Sequence, residues 1–397
     1  EIAQCLVGSE MCIRDRDFII SVRRDFHMYP ELGMEEYRTR DKIVEYLEEM
    51  GIEYMKDIAN TGVVGIIRGR KDGKTVGLRA DIDALPIQDK KKVNYKSKVA
   101  GQMHACGHDA HTAILLGTAK VLNDYKDKFK GNIKLIFQPA EETVGGAKPM
   151  IEEGVLENPK VDGIFGLHVS NAIEIGKIGI RYGKMNAASD MIKIIIHGQK
   201  SHGAYPDLGI DAISIAAQVI TAIQTIVSRR VDPRSSAVIT IGTIHGGDAR
   251  NVISDKVEME GIVRTLDPIT REEVMKELID IVENIASSMG GKGEVLREKS
   301  YNSLINNDRM VDIVYNNGEE LLGTENIIDI KYPSFGVEDF SYFAEMVPGA
   351  FFNLGSRNGE KGIVHEAHTS LFDIDESCLK TGVLIQCKNV LSFLAKD

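Results

Sequence analysis

Residues 75–83, TVGLRADID, and residues 133–142, IKLIFQPAEE, decide how this chain folds. Each opens as the largely apolar run of a buried strand and breaks off in acids: Asp81 and Asp83 in the first, Glu141 and Glu142 in the second. Pro139 makes helical continuation of the second run unfavourable, so its two carboxylates belong to a tight loop. A third run, Ile164–His168, ends in a histidine. Open α/β sheets bind ligands outside the carboxyl ends of their strands, so side chains far apart in sequence converge there.

Working outward, strands are expected at Val63–Arg68, Thr75–Ala80, Ile133–Gln138 and Ile164–His168. Helices are expected at Thr39–Met50, Ala110–Tyr125 and Glu376–Leu394, the second with Ile114, Leu115, Ala119 and Leu122 at helical spacing. This alternation predicts an α/β/α domain with a mostly parallel central sheet. Between 186 and 300 the texture changes to strand, helix, strand, strand, helix, strand: Ser189–His197, Ile210–Ser228, Ser236–Ile244, Lys256–Thr265, Thr270–Ser288 and Glu294–Lys299. That order is the ferredoxin-like α+β unit. The chain therefore reads as a discontinuous first domain, 17–185 and 301–397, interrupted by a second at 186–300. Residues 1–16, EIAQCLVGSEMCIRDR, read as a leader with no clear period and no link to the rest of the chain.

With 59 acidic against 48 basic residues the net charge is near -11, so a nucleic-acid backbone is repelled over most of the surface. No uninterrupted apolar stretch approaches the roughly 18 to 20 residues that span a bilayer, and no tripartite leader is visible. The expectation is a soluble, cytoplasmic protein without nucleic-acid or membrane partners. Five cysteines are too few and too irregular for a disulfide framework.

One of them, Cys106, stands with His108 in MHACGHDAHT, where Gly107 lets the chain turn sharply before a helix. Thiolate with imidazole suits Zn²⁺, and added carboxylates admit Mn²⁺. Taken alone, Cys106 also fits a buried small hydrophobe, His108 a structural histidine, and Glu141-Glu142 a solvated pair. Asp81 and Asp83, two apart, point the same way if extended. Asp83 is read as accepting the free ring N–H of a metal-bound imidazole, and Asp81 as that or a helix or turn cap. His202 lies in a Gly- and Pro-containing loop, where a mobile catalytic group can be presented. His111 is a weak ligand candidate, and His27, His104, His197 and His245 read as structural or surface groups.

The motifs RRDFHMYPELGMEE, RADIDALP, MHACGHDAHTAILLG, QPAEE, GLHV, SHGAYP, GGDARNVI, GIVRTLD and GVEDFSYF follow one another in that order. In these the chain strongly resembles the aminoacylase-like metallo-amidohydrolases, among them hippurate hydrolases, N-acetyl amino acid deacetylases, auxin-conjugate hydrolases and thermostable carboxypeptidases. The resemblance covers about residues 20 to 395. It implies that Cys106, His108, Glu142, His168 and His368 hold two divalent ions per subunit, Zn²⁺ or Mn²⁺ with Co²⁺ or Ni²⁺ admitted. It implies Glu141 as general base and the inserted unit as a lid and dimerisation domain. His202 matches a lid histidine that reaches the partner subunit's site in related enzymes; Asn251 and Arg264 match residues that grip the substrate carboxylate. In HEAHTSLFDIDE the spacing to Phe372 favours His368 over His365.

The expected reaction is hydrolysis of the amide bond of small N-acyl L-amino acids by a homodimer. Deacetylation of N-acetyldiaminopimelate and carboxypeptidase action on short peptides are the alternatives. Two rivals differ in kind: a cysteine hydrolase using Cys106 with His108, which leaves Glu141, Glu142 and His168 unexplained, and a non-catalytic amino-acid-binding protein, which has no need of Glu141.

Overall fold

The structure, a computed structural model, describes residues 9–395. Two compact units emerge. One runs through Gly183 and resumes over Ile305–Tyr332 and Asp339–Asp397; the other is Lys184–Leu304 with Pro333–Glu338. The Pro333–Glu338 stretch thus falls with the inserted unit, whereas the sequence assigned it to the discontinuous one.

In the first unit the strands are β1 (Glu53–Ile58), β2 (Gly62–Arg68), β3 (Thr75–Asp81), β4 (Asn132–Gln138), β5 (Gly163–Glu174), β6 (Ile178–Ile180), β7 (Ile327–Asp329) and β8 (Gly349–Arg357). They form one sheet in the order β1-β2-β4-β3-β5-β8-β6-β7. Its centre, β4-β3-β5-β8, is parallel, and antiparallel pairs flank it. The centre is the part that positions chemistry, because parallel neighbours end on the same edge. All seven residues of β3 are buried. Burying each Val or Leu of such a strand contributes about 1.5–3 kcal/mol, which secures the register that sets Asp81 opposite Gln138.

The helices of this unit are α1 (Ser9–Met28), α2 (Tyr37–Glu49), α3 (His108–Asp124), α4 (Ala147–Glu152), α5 (Asp308–Leu322), α6 (Phe340–Met346) and α7 (Ser377–Leu394). Helix α3 is buried over most of its length, from His108 to Leu122, because its apolar residues pack into the same core as α1 and α7. Two expectations change here. Residues 1–8 of the leader lie outside the described residues, but from Ser9 the backbone is helical and runs into Met28, so the rest of the leader is part of α1. Ile19, Val22 and Phe26 supply its buried face; the charged run Arg14–Asp17 hides the period N-terminal to them. And β5 does not end at His168: it continues to Glu174, paired with β8 through Ser170 and Gly355.

The inserted unit has strands Ala188–His197, Ala237–Gly246, Lys256–Thr265 and Lys292–Lys299, with helices Ala212–Thr225 and Pro268–Ser288 in the order strand, helix, strand, strand, helix, strand. Its sheet is antiparallel, ordered 237–246, 256–265, 188–197, 292–299. Residues Ala212–Arg230 are long and apolar enough to cross a membrane by composition. Here Ile215, Ala216, Val219, Ile223 and Ile226 of that segment pack into the unit's own core.

Candidate metal centre

The loop that follows β4, the middle of β5, the turn into α3 and the loop that carries His368 deliver the donors of the first unit. Gly107, at φ 93, makes the turn into α3 in the left-handed region, and a Cβ there would lie 2.3 Å from Val169 Cγ2. The turn presents Cys106 before the helix and His108 on its first turn. Overlapping groups of donor atoms then lie within 4.8 Å of one another: Cys106 with His108 and His168; Cys106 with Glu142 and His368; His108 with Glu141 and Glu142. All five residues expected to hold metal, and Glu141 with them, come together.

Supporting hydrogen bonds fix how each donor is aimed. Asp83 accepts from His108 Nδ1 at 3.1 Å with one oxygen and from the Glu142 backbone N–H at 2.9 Å with the other. One carboxylate therefore orients two donors from different segments. His168 Nδ1 donates to the Val169 carbonyl at 2.7 Å, which leaves Nε2 as the free lone pair, 3.3 Å from Cys106 Sγ. His368 adopts φ 62, its backbone N–H donating to the Ala105 carbonyl at 2.8 Å, and its Nε2 is 3.0 Å from Glu142 Oε1. His365 sits elsewhere: its carbonyl accepts from Asn171 Nδ2 at 2.7 Å.

His111 is engaged at both nitrogens, accepting the Val169 N–H on Nε2 at 2.9 Å and donating from Nδ1 to Asp81 at 2.5 Å. Burial holds its pKa down, to about 4, despite Asp81, so it stays neutral and has no lone pair to offer. Asp81 is thus neither a helix cap nor a turn cap. Arg79 grips its other oxygen at 2.7 Å and also contacts Gln138 and Asp339, every member of this network being buried. An unpaired buried carboxylate would cost several kcal/mol; His108, Arg79 and His111 together offset that burial and hold Asp81 ionised.

The electrostatics are those of a site built for a cation. Burial opposes charge on His108, but Asp81, Asp83 and Glu142 outweigh it and lift the imidazole to about 10. Burial, with Glu142 and Glu141, pushes the Cys106 thiol well above its ordinary value. Among the donor atoms of this site, His108 Nε2 and Glu142 Oε1 are buried without a hydrogen-bond partner among the described residues. The second meets His368 Nε2 at ion-pair distance, out of line for a hydrogen bond. Unpartnered buried atoms converging beside a thiol are what a bound divalent ion would satisfy, once His108 gives up its Nε2 proton.

The remaining candidates lie in the inserted unit. His202 pairs with Val252 in a two-residue ladder, is exposed, and accepts the Ala204 N–H on Nδ1 at 3.1 Å. Asn251 is exposed, its carbonyl accepting from the Gly203 N–H at 2.7 Å. Arg264 lies on Lys256–Thr265 opposite Ser189 and Val238, with Nη1 buried and without a hydrogen-bond partner among the described residues. His104, expected to be a structural or surface group, is buried and finds no hydrogen bond for either ring nitrogen among the described residues. The Arg79–Gln138–Asp339 brace escaped the sequence reading; its signal was Asp339 within the motif GVEDFSYF.

The family model described as peptidase family M20/M25/M40 matches residues 77–391. The chain is 43% identical over 384 residues to thermostable carboxypeptidase 1 of Saccharolobus solfataricus, covering 96% of each. It is 41% identical over 361 residues to the N-acetyl-L-cysteine deacetylase of Bacillus subtilis, covering 91% of this chain and 84% of that one. A solved structure of a dinuclear metal-binding M20 peptidase from Bacillus subtilis superposes with a TM-score of 0.84 at 35% identity, covering 96% and 98%. These likenesses remove the binding-protein alternative: the chain belongs to peptidase family M20/M25/M40 and is an enzyme that hydrolyses amide bonds.

Proposed function

We propose that the enzyme hydrolyses N-acyl L-amino acids to a carboxylate and a free amino acid, with two divalent ions, Zn²⁺ or Mn²⁺, held by Cys106, His108, Glu142, His168 and His368. The observation that carries this reading is the pair of buried atoms without a hydrogen-bond partner among the described residues, His108 Nε2 and Glu142 Oε1, beside the Cys106 thiol. Held by these residues, the ions would supply Lewis-acid chemistry, lowering the pKa of a water and polarising the amide carbonyl. Glu141, buried beside His108 and Glu142, takes the proton as water adds and returns it to the departing amine. Asp83 keeps His108 and Glu142 aimed throughout.

His202 supplies the oxyanion donor. With Nδ1 accepting a backbone N–H, its neutral ring carries the proton on Nε2, where it can be donated. By resemblance this histidine serves the partner subunit's site in a homodimer. Arg264, whose Nη1 lacks a hydrogen-bond partner among the described residues, binds the substrate carboxylate together with Asn251. The relatives named as a deacetylase and a carboxypeptidase favour an acylated amino acid or a short peptide as substrate. A cysteine hydrolase fits less well, because burial and two carboxylates raise the Cys106 thiol where a nucleophile needs it lowered.

The deciding experiment measures release of free amine from a panel of N-acetyl, N-benzoyl and N-indoleacetyl amino acids by the metal-reconstituted protein. Turnover of unacylated dipeptides alone would replace this reading with the peptidase one.

A further inference from the structure

Glu36 is fully buried in the first unit, apart from the metal donors. Its Oε1 accepts the Ala140 backbone N–H at 2.9 Å and its Oε2 accepts the Thr61 hydroxyl at 2.5 Å. Ala140 has φ 56, a left-handed conformation that a residue with a Cβ rarely adopts. Its carbonyl closes the following turn by accepting from Gly145 N–H at 2.9 Å. The next two residues are Glu141 and Glu142.

The segments meeting at Glu36 share that conformation. Met34 has φ 68, Ala59 φ 47 and Asn60 φ 80, and Asn60 Nδ2 donates to the Met34 carbonyl at 2.8 Å. The loop of Ala140 is seated on Gly33, where a Cβ would lie 2.4 Å from Thr143 Oγ1 and 3.0 Å from Ala140 Cα. Non-glycine residues at positive φ cluster where a surrounding structure over-determines them, commonly at functional sites.

We infer that Glu36 is the positioning residue of this enzyme's acid pair: its carboxylate holds Ala140 left-handed and so aims Glu141 and Glu142. This gives Glu36 its purpose under the proposed metal-dependent reading, while the geometry stands without it. Burial pushes Glu36 up to about 7, with Asp83 adding to the rise, against the two hydrogen bonds it accepts. A leucine would occupy the position without that desolvation cost, so the bond to Ala140 has to return something.

The test uses Co²⁺ as probe, titrated into the full-length apo protein, with kcat measured separately at saturating Co²⁺. Glu36→Leu leaves the Ala140 N–H without its acceptor and is expected to weaken Co²⁺ binding about 10- to 100-fold, the range seen when residues that orient metal ligands are removed. Glu36→Gln keeps an acceptor oxygen and should stay within about threefold of wild type. Ala140→Gly in the leucine background should recover most of the loss, to within about fivefold, because glycine enters the left-handed region freely. A purely structural role would not respond to that second change. A folded Glu36→Leu protein that binds Co²⁺ like wild type overturns the inference, and so does a loss that Ala140→Gly leaves untouched. Should Glu36→Leu fail to fold, Glu36→Asp carries the test: one methylene shorter, it withdraws the carboxylate from Ala140 and must weaken Co²⁺ about tenfold, wild-type affinity overturning the idea. A wild-type protein inactive on every N-acyl amino acid would defeat the proposed function, yet the Co²⁺ titrations would still decide the role of Glu36.

Discussion

Around Cys106, the donors are held by a second atom of their own or by a neighbour. His108 is fixed through Nδ1 on Asp83, His168 through Nδ1 on the Val169 carbonyl, and Glu142 through its backbone on Asp83. In the inserted unit the matching groups stand differently: His202 and Asn251 are exposed, and Arg264 Nη1 has no hydrogen-bond partner among the described residues. The first arrangement is aimed by its own protein neighbours. The second leaves side-chain groups open to a ligand or to another molecule. Pre-organisation of the first kind serves charge stabilisation, since nothing need reorganise during reaction. Groups of the second kind act only once a substrate or a second molecule reaches them, Arg264 and Asn251 in recognition and His202 at the oxyanion under the proposed reading.

If that contrast is right, removing the ions should have the largest effect of all. Chelation is expected to abolish activity and added Mn²⁺ or Zn²⁺ to restore it; a cysteine hydrolase would be indifferent to both. The titration of the apo protein sharpens the point. His108, lifted to about 10, and Cys106, raised further than usual, both carry protons at neutral pH. Ions bind imidazole and thiolate, so both protons must leave, and affinity rises with pH throughout the range below the apo pKa values. The expected slope is about two protons, or about a hundredfold per pH unit between pH 6 and 8. Calorimetry in buffers of different ionisation enthalpy counts the protons directly, and a count near zero would mean that the Cys106–His108 pair holds no ion.

Next in size is the base. Glu141→Gln should retain metal and fold while kcat falls by about 10²- to 10⁴-fold. Glu142→Gln should instead lower metal affinity first, recovering part of kcat when metal is raised. Equal behaviour of the two would erase the distinction between base and ligand.

These residues were legible in the sequence to different depths, for physical reasons. Strand ends were readable because an apolar run that stops in acids is a local signal. Asp81, Asp83, Glu141 and Glu142 were all located that way, and β3 and β4 run close to their expected bounds. His168 was located too, but the continuation of β5 to Glu174 was not, because its pairing partner Gly355 lies far along the chain. What stayed hidden is of that long-range kind. Arg79 reaches Asp339, and Arg23 on α1 joins Asp109 beside His108 to Asp373 beyond His368. No local pattern marks an arginine that will be buried against carboxylates from distant segments. The left-handed Ala140 was hidden for the opposite reason: alanine is not a residue that announces positive φ.

The inserted unit supplies the third test, by complementation. His202→Ala should lower kcat by about 10²- to 10³-fold, as loss of one oxyanion donor does. If His202 serves the partner subunit, mixing it with Glu141→Gln under subunit exchange makes about half of the dimers mixed, each with one intact site, so roughly a quarter of wild-type activity returns. Exchange demonstrated by mass spectrometry with no return of activity would place His202 in its own chain's chemistry.

The smallest effect expected is at Arg264, and it probes recognition apart from chemistry. Desolvation lowers the pKa of this half-buried guanidinium, and its Nη1 has no hydrogen-bond partner among the described residues to offset that burial. A bidentate substrate carboxylate would offset the cost, and only a planar fork can take both oxygens at once. Arg264→Lys should therefore raise KM about tenfold for free-acid substrates, the equivalent of one charge-assisted hydrogen bond, and change kcat little. The paired measurement is the same substrate with its carboxylate amidated. Wild type should prefer the free acid, and the lysine variant should narrow that preference without touching metal affinity. A wild-type enzyme that turns over acid and amide equally has no carboxylate clamp, and Arg264 would then need a different ligand to account for its unpartnered Nη1.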